Sequence, residues 1–438
     1  MAFISFLHWI NSTLFAVPTT LLFFGAAVFF TIRIRFAQVT QFPRFIQLLT
    51  QPTQAHRESD TLEQTINPLH ALFTAMATTI GMGNLVGPTI AIFTGGPGAL
   101  LWLLLYIFFG AATKFVEVIS ALKTRMVAAD GSIIGGPLFY LKTVSPFIAY
   151  AYGIIMIFML ASWSSLQANT LSGILALHNI PTWLTGMLLV LFLVRMLSGG
   201  AERVGALASK LVPLMFLLYV SVAFFILLKN PAELLNSIIM VFKSALNPSA
   251  AMGGFVGTTF MHAIQSGLYQ GVFITEAGIG TASIPHAVAR TDKYTDQAIL
   301  AMCATISDMT LATLSGLLVL VTGVWHTGTF RSTLIYEAFK IHAPGFGSYV
   351  LLISLSLFIL TTILGNSFNG TQIFKSVTRA VDHRFYIIFI TAVVFVGALV
   401  PATIVWELME VILACAMVPN IIGLLALVIR NPEWFTIK

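Results

Sequence analysis

Two glycine-rich segments hold the residues of this sequence that could do chemistry. The first spans residues 77–88 and reads ATTIGMGNLVGP, and the second spans residues 267–281 and reads GLYQGVFITEAGIGT. Both lie inside long apolar runs, where glycine destabilises a helix by roughly 1 kcal/mol and proline by about 3 kcal/mol. We therefore predict that the helix unwinds in both segments. Unwound backbone offers N–H groups that bind a carboxylate and carbonyl oxygens that bind a cation such as Na⁺.

The composition places these segments in a membrane. Of 438 residues, 58% are apolar and 9% are charged, whereas a soluble domain carries about 25% charged residues. The 22 Lys and Arg and 16 Asp and Glu are too few to cover a water-soluble particle of this length. A soluble enzyme, a nucleic-acid-binding protein and, with only two cysteines, a disulfide-bonded secreted scaffold are excluded. We expect the lipid bilayer as a partner and no nucleic acid.

Apolar runs of about 20 residues predict membrane-spanning helices, and the chain has about eleven of them. No long polar region lies outside these runs, so no separate soluble domain is expected. The predicted spans lie near residues 13–32, 70–94, 99–118, 147–177, 182–198, 205–228, 251–281, 297–325, 345–372, 384–402 and 405–429.

The distribution of Lys and Arg predicts the orientation, because loops on the cytoplasmic side carry an excess of them. If the N-terminus lies outside and the spans alternate, eighteen of the 22 basic residues fall on the inside, including Lys114. We therefore predict a multi-pass protein of the inner membrane with its C-terminus in the cytoplasm. The four basic residues left outside are Lys229, Lys243, Arg331 and Lys340.

The two glycine-rich segments lie in the second and seventh spans, so they cross the membrane in opposite directions. This predicts two inverted five-helix repeats over residues 65–230 and 231–430, preceded by an extra N-terminal helix and loop in 1–64 and followed by a tail in 431–438. Paired interrupted segments at matching positions indicate the binding site of a transporter. The alternative is that small residues merely let helices pack closely, which is less expected for two matching segments.

Two acidic side chains fall inside the predicted spans, where an ionisable group costs at least about 2.5–3.5 kcal/mol. Glu276 lies in the second glycine-rich segment, where it could hold unwound backbone or carry a coupling proton. Asp308, in the next span, either pairs with a polar neighbour or faces a cavity. We predict that these two residues are the only deep acids and that both are structural or proton-linked.

At these motifs the sequence resembles the alanine or glycine:cation symporters, the sodium:alanine symporter family. The resemblance covers about residues 65–430 in register. The matching stretches are 77–87, 95–99 (GGPGA), 113–117 (TKFVE), 135–137 (GGP), 167–169 (QAN), 210–213 (KLVP), 271–280 (GVFITEAGIG) and 320–325 (LVTGVW).

The resemblance implies an all-α fold of the LeuT type, coupling to Na⁺ or H⁺, and a small neutral amino acid as substrate. Some positions depart from the family pattern. Members usually carry Arg at Gln270, Ser-Asn at Ile274-Thr275, and Gly-Asn at Trp163-Ser164. The family pattern GWSYYG becomes GNSFNG at 365–370, which places Asn366 and Asn369 where bulky aromatics usually stand. This change favours a larger or more polar substrate as an alternative.

The breaks and the resemblance together give a set of expected substrate contacts. The amides of Gln167 and Asn169 could bind the amino acid, although they could equally join helices. The resemblance favours Gln167 as a substrate contact. The expected substrate contacts are Thr79, Gly81, Gly83, Asn84, Gln167, Asn169, Phe273, Gly278, Gly280 and Asn366.

Hydroxyl oxygens of the ninth span, with carbonyls of the first break, would form a hard-oxygen site suited to Na⁺. The alternative for these threonines is a bond to the carbonyl one turn earlier in their own helix. The expected ion ligands are Thr78, Ile80, Gly81, Thr361 and Thr362.

The leading functional hypothesis is a secondary active transporter without a cofactor other than its coupling ion. A membrane-embedded enzyme is not expected, since the sequence contains neither H-E-x-x-H nor G-x-S-G. A channel would need a continuous polar pore rather than two isolated breaks. The sequence leaves the oligomeric state open.

Overall fold

The structure is a computed structural model that describes residues 16–50, 65–127, 133–246, 260–327, 334–378, 382–400 and 402–437. The apolar runs become helices because a helix satisfies its own backbone polar groups, as lipid requires. In the first half the helices are α1 (Ala16–Arg33), α2 (Ala37–Thr40), α3 (Phe42–Thr50), α4 (Pro68–Thr79), α5 (Met82–Gly95), α6 (Ala99–Thr124), α7 (Pro137–Lys142), α8 (Pro146–Ala176), α9 (Thr182–Leu197) and α10 (Gly200–Lys229).

The second half of the chain is helical in the same way. Its helices are α11 (Pro231–Leu246), α12 (Phe260–Thr275), α13 (Ser283–Ala287), α14 (Tyr294–Cys303), α15 (Thr305–Thr322), α16 (Leu334–His342), α17 (Phe346–Thr378), α18 (Arg384–Leu399) and α19 (Ala402–Arg430). Short 3₁₀ helices lie at Val324–Thr327 and Pro432–Phe435. Strands β1 (Met126–Val127) and β2 (Ile133–Ile134) form one antiparallel pair.

Helix length and composition confirm a helical, multi-pass membrane protein. Seven helical segments of the described chain are long and apolar enough to cross a bilayer. Three shorter apolar helices lie at Thr19–Arg33, Thr182–Leu197 and Arg384–Leu399. Each of the eleven predicted runs contains a helix, although residues 251–259 of the seventh run lie outside the described residues. The division of the chain into inverted repeats stays a prediction.

The two interrupted helices lie against each other at the centre of the packing. Helix α12 packs on α5 and α6, and the long helix α17 packs on α4, α8 and α10. The segments that flank the interruptions also meet: Ile66 donates its N–H to the carbonyl of Val288 at 3.1 Å and accepts from the N–H of Arg290 at 2.9 Å. Both interrupted helices are therefore tied together at the same end.

Lys114 corrects the predicted distribution of charge. The sequence analysis placed it in a cytoplasmic loop, but helix α6 continues to Thr124 and Lys114 is buried within it, with 2% of its side chain exposed. The predicted tally therefore loses one of its inside charges, and the orientation stays a prediction. Four other residues of that tally, Arg57, Arg331, Arg379 and Lys438, lie outside the described residues.

Candidate functional site

The first glycine-rich segment contains a short break. Helix α4 ends at Thr79 and α5 begins at Met82, with Ile80 (φ −80°, ψ 91°) and Gly81 (φ −142°, ψ −162°) extended between them. The predicted interruption is confirmed, but it involves two residues rather than the whole stretch from 80 to 87. Helix α5 therefore starts in the middle of a buried region, where its first N–H groups have no carbonyl one turn earlier.

Side chains from helices α5, α8 and α17 contact this break. The amide oxygen of Asn84 accepts from the N–H of Gly81 at 3.1 Å, and that of Gln167 accepts from the N–H of Met82 at 3.4 Å. The hydroxyl of Thr362 bonds the carbonyl of Phe358 in its own helix at 2.8 Å and also lies 3.2 Å from the carbonyl oxygen of Ile80. Three of the expected site residues therefore lie at the first break, and their roles in binding stay predictions.

The expected ion ligands separate into two groups. Thr362 faces the first break so closely that a β-carbon on Gly81 would lie 2.5 Å from its hydroxyl oxygen. Both hydroxyls bond carbonyls of their own helix, but that of Thr361 lies 3.4 Å from the sulfur of Met215 on α10 rather than beside the break. Adjacent residues on a helix point about 100° apart, so only one of the pair can reach the break.

Thr78 and Thr79 lie just before the first break. Their hydroxyls bond the backbone of their own helix, Thr78 to Ala75 at 2.7 Å and Thr79 to Met76 at 3.4 Å. This is the alternative that the sequence analysis left open for threonines in membrane helices. Both residues are nevertheless buried beside the break.

The second break is longer. Helix α12 ends at Thr275 and α13 begins at Ser283. Between them Gly278 (φ 98°) and Gly280 (φ 97°) adopt positive φ, which glycine tolerates and other residues rarely do. Glu276 also has positive φ (54°). The density of glycine thus explains why the chain leaves the helix here, as predicted.

Side chains hold both peptide groups of Gly278. Its N–H donates to Glu117 Oε1 at 2.9 Å, and its carbonyl accepts from the amide of Asn420 at 2.8 Å. The Asn420 amide also donates to Glu117 at 3.2 Å, and its oxygen accepts from the hydroxyl of Tyr140 at 2.7 Å. Gly278 was expected to offer free backbone to the substrate. Protein side chains fill that role instead, since buried peptide groups require partners.

The remaining carbonyls of the second break are also engaged. The hydroxyl of Tyr106 donates to Ala277 at 3.0 Å, and that of Tyr152 donates to Ile279. Gly280, another expected substrate contact, accepts from the hydroxyl of Ser283 at 2.6 Å. Neither Gly278 nor Gly280 therefore presents an unoccupied carbonyl to a solute.

A buried charged cluster joins the two breaks. Lys114 Nζ lies 3.5 Å from Asp308 Oδ2, and the Asn84 amide donates to Asp308 Oδ1 at 3.0 Å. Glu117, one helical turn after Lys114, holds Gly278. Residues three apart lie on the same helix face, so one face of α6 contacts the groups that position both breaks.

The cluster corrects the prediction that Glu276 and Asp308 are the only deep acids. Glu117 is fully buried as well. The stretch TKFVE could have revealed Glu117, because its lysine and glutamate are three residues apart and share a helix face. The sequence analysis instead assigned Lys114 to a loop. Asp308 pairs with polar neighbours, one of its two predicted alternatives. Glu276 accepts from the hydroxyl of Thr281 within its own break.

An aromatic wall and a glycine shape the space beside the first break. The rings of Trp163 and Phe273 stack with centroids 5.1 Å apart. A β-carbon on Gly83 would lie 3.2 Å from the Phe273 ring. Asn169 lies on another face of α8, where its amide donates to the carbonyls of Gly397 at 2.9 Å and Val400 at 2.7 Å. The structure therefore groups Phe273 and Gly83 with Gln167 but directs Asn169 towards α18.

Helix α17 extends from one break to the other. Thr362 contacts the first break, and the Asn369 amide donates to Thr281 of the second at 3.3 Å. Asn366 lies between them on the same helix face and is fully buried. The adjoining part of α17 lines a cavity of about 590 Å³ with Phe368, Thr371, Gln372 and Lys375. Other parts of the chain add further lining residues, among them Asn67, His70, Glu202 and His383.

Sequence comparison with known proteins identifies the family. A sequence profile of the sodium:alanine symporter family matches residues 1–432. The chain belongs to the sodium:alanine symporter family. The sodium/alanine symporter AgcS of Methanococcus maripaludis is 31% identical over 442 residues, which cover 98% of this chain and 95% of that protein. The resemblance inferred from the motifs is thus confirmed.

Solved structures confirm the LeuT-type fold of this family member. MhsT in complex with L-phenylalanine superimposes with a TM-score of 0.57 at 14% identity, covering 84% of this chain and 89% of MhsT. A manganese transporter of Eremococcus coleocola superimposes with a TM-score of 0.57 at 13% identity, covering 87% and 86%. Since one of these proteins is bound to an amino acid and the other is a manganese transporter, the fold leaves the substrate open. The chain is a transporter of this fold and not an enzyme.

Proposed function

We propose that the protein carries out Na⁺-coupled symport of a small neutral amino acid across the cytoplasmic membrane by alternating access. The observation that carries this proposal is the first break. There the N-terminus of α5 starts inside the protein beside Gln167, and the oxygens of Ile80 and Thr362 lie 3.2 Å apart. A carboxylate and a cation would therefore have separate ligands within a few ångströms of one backbone segment.

The amino acid carboxylate would bind at the start of α5. A helix N-terminus presents unpaired N–H groups and a partial positive charge, which favour an anion. Gln167 accepts from one of these groups through a long bond of 3.4 Å, so a carboxylate could displace it at little cost. The stacked rings of Trp163 and Phe273 would enclose the bound molecule.

Na⁺ would bind on the other side of the same segment. Hydroxyl and carbonyl oxygens suit a hard cation, and Thr362 and Ile80 supply one of each. Binding of either ligand would stabilise the same arrangement of the first break against α17. Each ligand would then tighten binding of the other, since such coupling is reciprocal.

The test is a binding measurement on the purified protein in detergent. L-alanine affinity should rise at least about tenfold when choline is replaced by Na⁺ at constant ionic strength, which corresponds to about 1.4 kcal/mol of coupling. Uptake of labelled L-alanine into proteoliposomes should then follow an imposed Na⁺ gradient. Equal affinities in Na⁺ and choline would rule out the sodium-coupled mechanism.

A proton-coupled symporter or exchanger is the second candidate. The buried cluster favours it, because the described residues bury three acids, Glu117, Glu276 and Asp308, and only one Lys or Arg, Lys114, which lies 3.5 Å from Asp308. Burying an unpaired carboxylate is costly, so a proton could neutralise one of the three acids in one conformation. Uptake driven by an imposed pH gradient in the absence of Na⁺ would support this candidate over the first.

The topology is part of the proposal. We infer an extracellular N-terminus, a cytoplasmic C-terminus and two inverted repeats over 65–230 and 231–430. Lys229 and Arg430 are exposed, and each can be replaced by a single cysteine. In right-side-out vesicles an impermeant maleimide should reach the cysteine at position 229 from outside and the one at position 430 only from inside. Labelling of both positions from the same side would contradict the inverted arrangement.

A further inference from the structure

Asn366 is a buried amide without hydrogen-bond partners. It is fully buried, and neither its Nδ2 nor its Oδ1 has a partner among the described residues. Buried amides elsewhere in the site behave differently. Asn84, Gln167 and Asn420 each bond to other protein groups. Because a buried polar group without a partner is destabilising, an amide with both ends unpaired points to a ligand.

The position of Asn366 places it beside the proposed substrate. It lies one turn after Thr362, which contacts the first break, and one turn before Asn369, which contacts the second. Residues at these spacings share a helix face. Its neighbour Gly365 packs against the first broken helix so closely that a β-carbon there would lie 2.7 Å from Thr78. The Asn366 amide is therefore held between the two breaks.

We propose that Asn366 binds the side chain of the substrate, and that the protein prefers neutral amino acids carrying a hydroxyl or a carboxamide. This inference rests on the proposed function and specifies its substrate class. The asparagine amide has one donor end and one acceptor end. A hydroxyl or a carboxamide also combines both functions and can satisfy the two ends of Asn366 together. Alanine and glycine leave both unpaired.

The charges nearby favour a neutral side chain over an ionised one. The buried cation closest to the first break, Lys114, is already paired with Asp308 at 3.5 Å. An acidic side chain would therefore find no free cation, and a basic one would satisfy only the oxygen of Asn366. Burying an ionised group without a counter-charge is strongly unfavourable.

Pairs of ligands with the same shape test this inference on the wild-type protein. We would measure binding of L-threonine against L-valine and of L-asparagine against L-leucine to the full-length protein in Na⁺-containing detergent. In at least one pair the polar member should bind roughly tenfold more tightly or better, since a site built around hydrogen bonds rejects ligands that cannot make them. Equal or tighter binding of the apolar member in both pairs would overturn the inference.

The variant Asn366→Leu removes both polar ends while keeping the branched shape. Its preference for the polar ligand should fall towards onefold. Ser354→Ala is the matched control, because it removes another buried unpaired group of α17 three turns away. A Leu variant that keeps the wild-type preference would also overturn the inference, and the wild-type ligand pairs decide it if that variant fails to fold.

The two levels of proposal fail in different ways. If no amino acid of the panel binds, both the proposed function and this inference are wrong. If L-alanine binds with Na⁺ dependence and neither pair is discriminated, only the role of Asn366 is wrong.

Discussion

The two breaks satisfy their backbone in different ways. The first involves two residues, and its contacts with Asn84, Gln167 and Thr362 measure 3.1–3.4 Å. The second spans residues 276–282, and the peptide groups of Gly278 bond to Glu117 and Asn420 at 2.9 and 2.8 Å. Hydrogen bonds of 2.8–2.9 Å are near the optimum for N–H···O contacts, whereas those beyond 3.2 Å are weaker.

If the proposed function is correct, this difference gives the two segments different tasks. Ligands would compete with the contacts of the first break, which are long and come from side chains. The second break is contacted by groups from α6, α8, α17 and α19, so under the proposed function it would serve as the rigid frame. A transporter needs both features, since a site must be pre-organised and also exchange its ligands.

Removal of the clamp that Glu117 and Asn420 form on the peptide groups of Gly278 should give the largest effect. In Glu117→Ala, the N–H of Gly278 and the amide of Asn420 lose a buried acceptor. Loss of one partner of a buried charged contact costs about 3–5 kcal/mol, so we expect a strongly lowered melting temperature and loss of amino acid uptake. Thermal unfolding in detergent and proteoliposome uptake measure the two effects.

Two further variants define this prediction. Glu117→Gln keeps an oxygen for the N–H of Gly278 and should retain an intermediate stability. Glu433→Ala removes an exposed carboxylate after the last long helix and should behave as wild type. If Glu117→Ala melts and transports as wild type does, the second break is not held by this clamp.

A smaller effect is expected at the first break. Thr362→Val removes the hydroxyl that faces Ile80 while keeping the branched side chain. Its Na⁺ affinity should fall about tenfold, since a hydrogen-bonding oxygen on a charged partner contributes about 1.5–3 kcal/mol. The Na⁺ concentration for half-maximal stimulation of L-alanine binding measures this change.

Thr361→Val is the matched control for that prediction. Its hydroxyl bonds within α17 and lies beside Met215, so its Na⁺ dependence should stay at the wild-type value. An equal loss in both variants would place the effect in the packing of α17 rather than in ion binding.

Sequence reasoning found the breaks but misjudged how they are held. Glycine density marks where a helix is unstable, and this property is local. The length of each break depends on distant partners: Asn84 and Gln167 let α5 restart at once, whereas Glu117 and Asn420 keep the second segment open. In three of these contacts the partner lies 85 to 161 residues along the chain from the group that it binds, so local patterns cannot reveal it.

The direction of each side chain was the other part that the sequence left undetermined. Thr361 and Thr362 are adjacent, but only Thr362 faces the first break, whereas Thr361 faces α10. Gln167 and Asn169 are two residues apart, but only Gln167 faces the first break, whereas Asn169 faces α18. Helices that are apolar on all sides give no periodic signal to distinguish these faces. Lys114 and Glu117 were missed for another reason: Lys114 was counted among the cytoplasmic loop charges although the predicted run 99–118 includes both residues.

The smallest expected effect tests whether the first break is the substrate site at all. In Gly83→Ala the added methyl would lie 3.2 Å from the Phe273 ring, so the ring must shift by a few tenths of an ångström and the space beside α5 shrinks. L-alanine affinity should fall a few-fold while Na⁺ binding and melting temperature stay near wild type. Gly173→Ala, on α8 with nothing within 4 Å of the new methyl, is the control. If Gly83→Ala leaves affinity unchanged, the amino acid binds elsewhere and the functional contrast between the two breaks is lost.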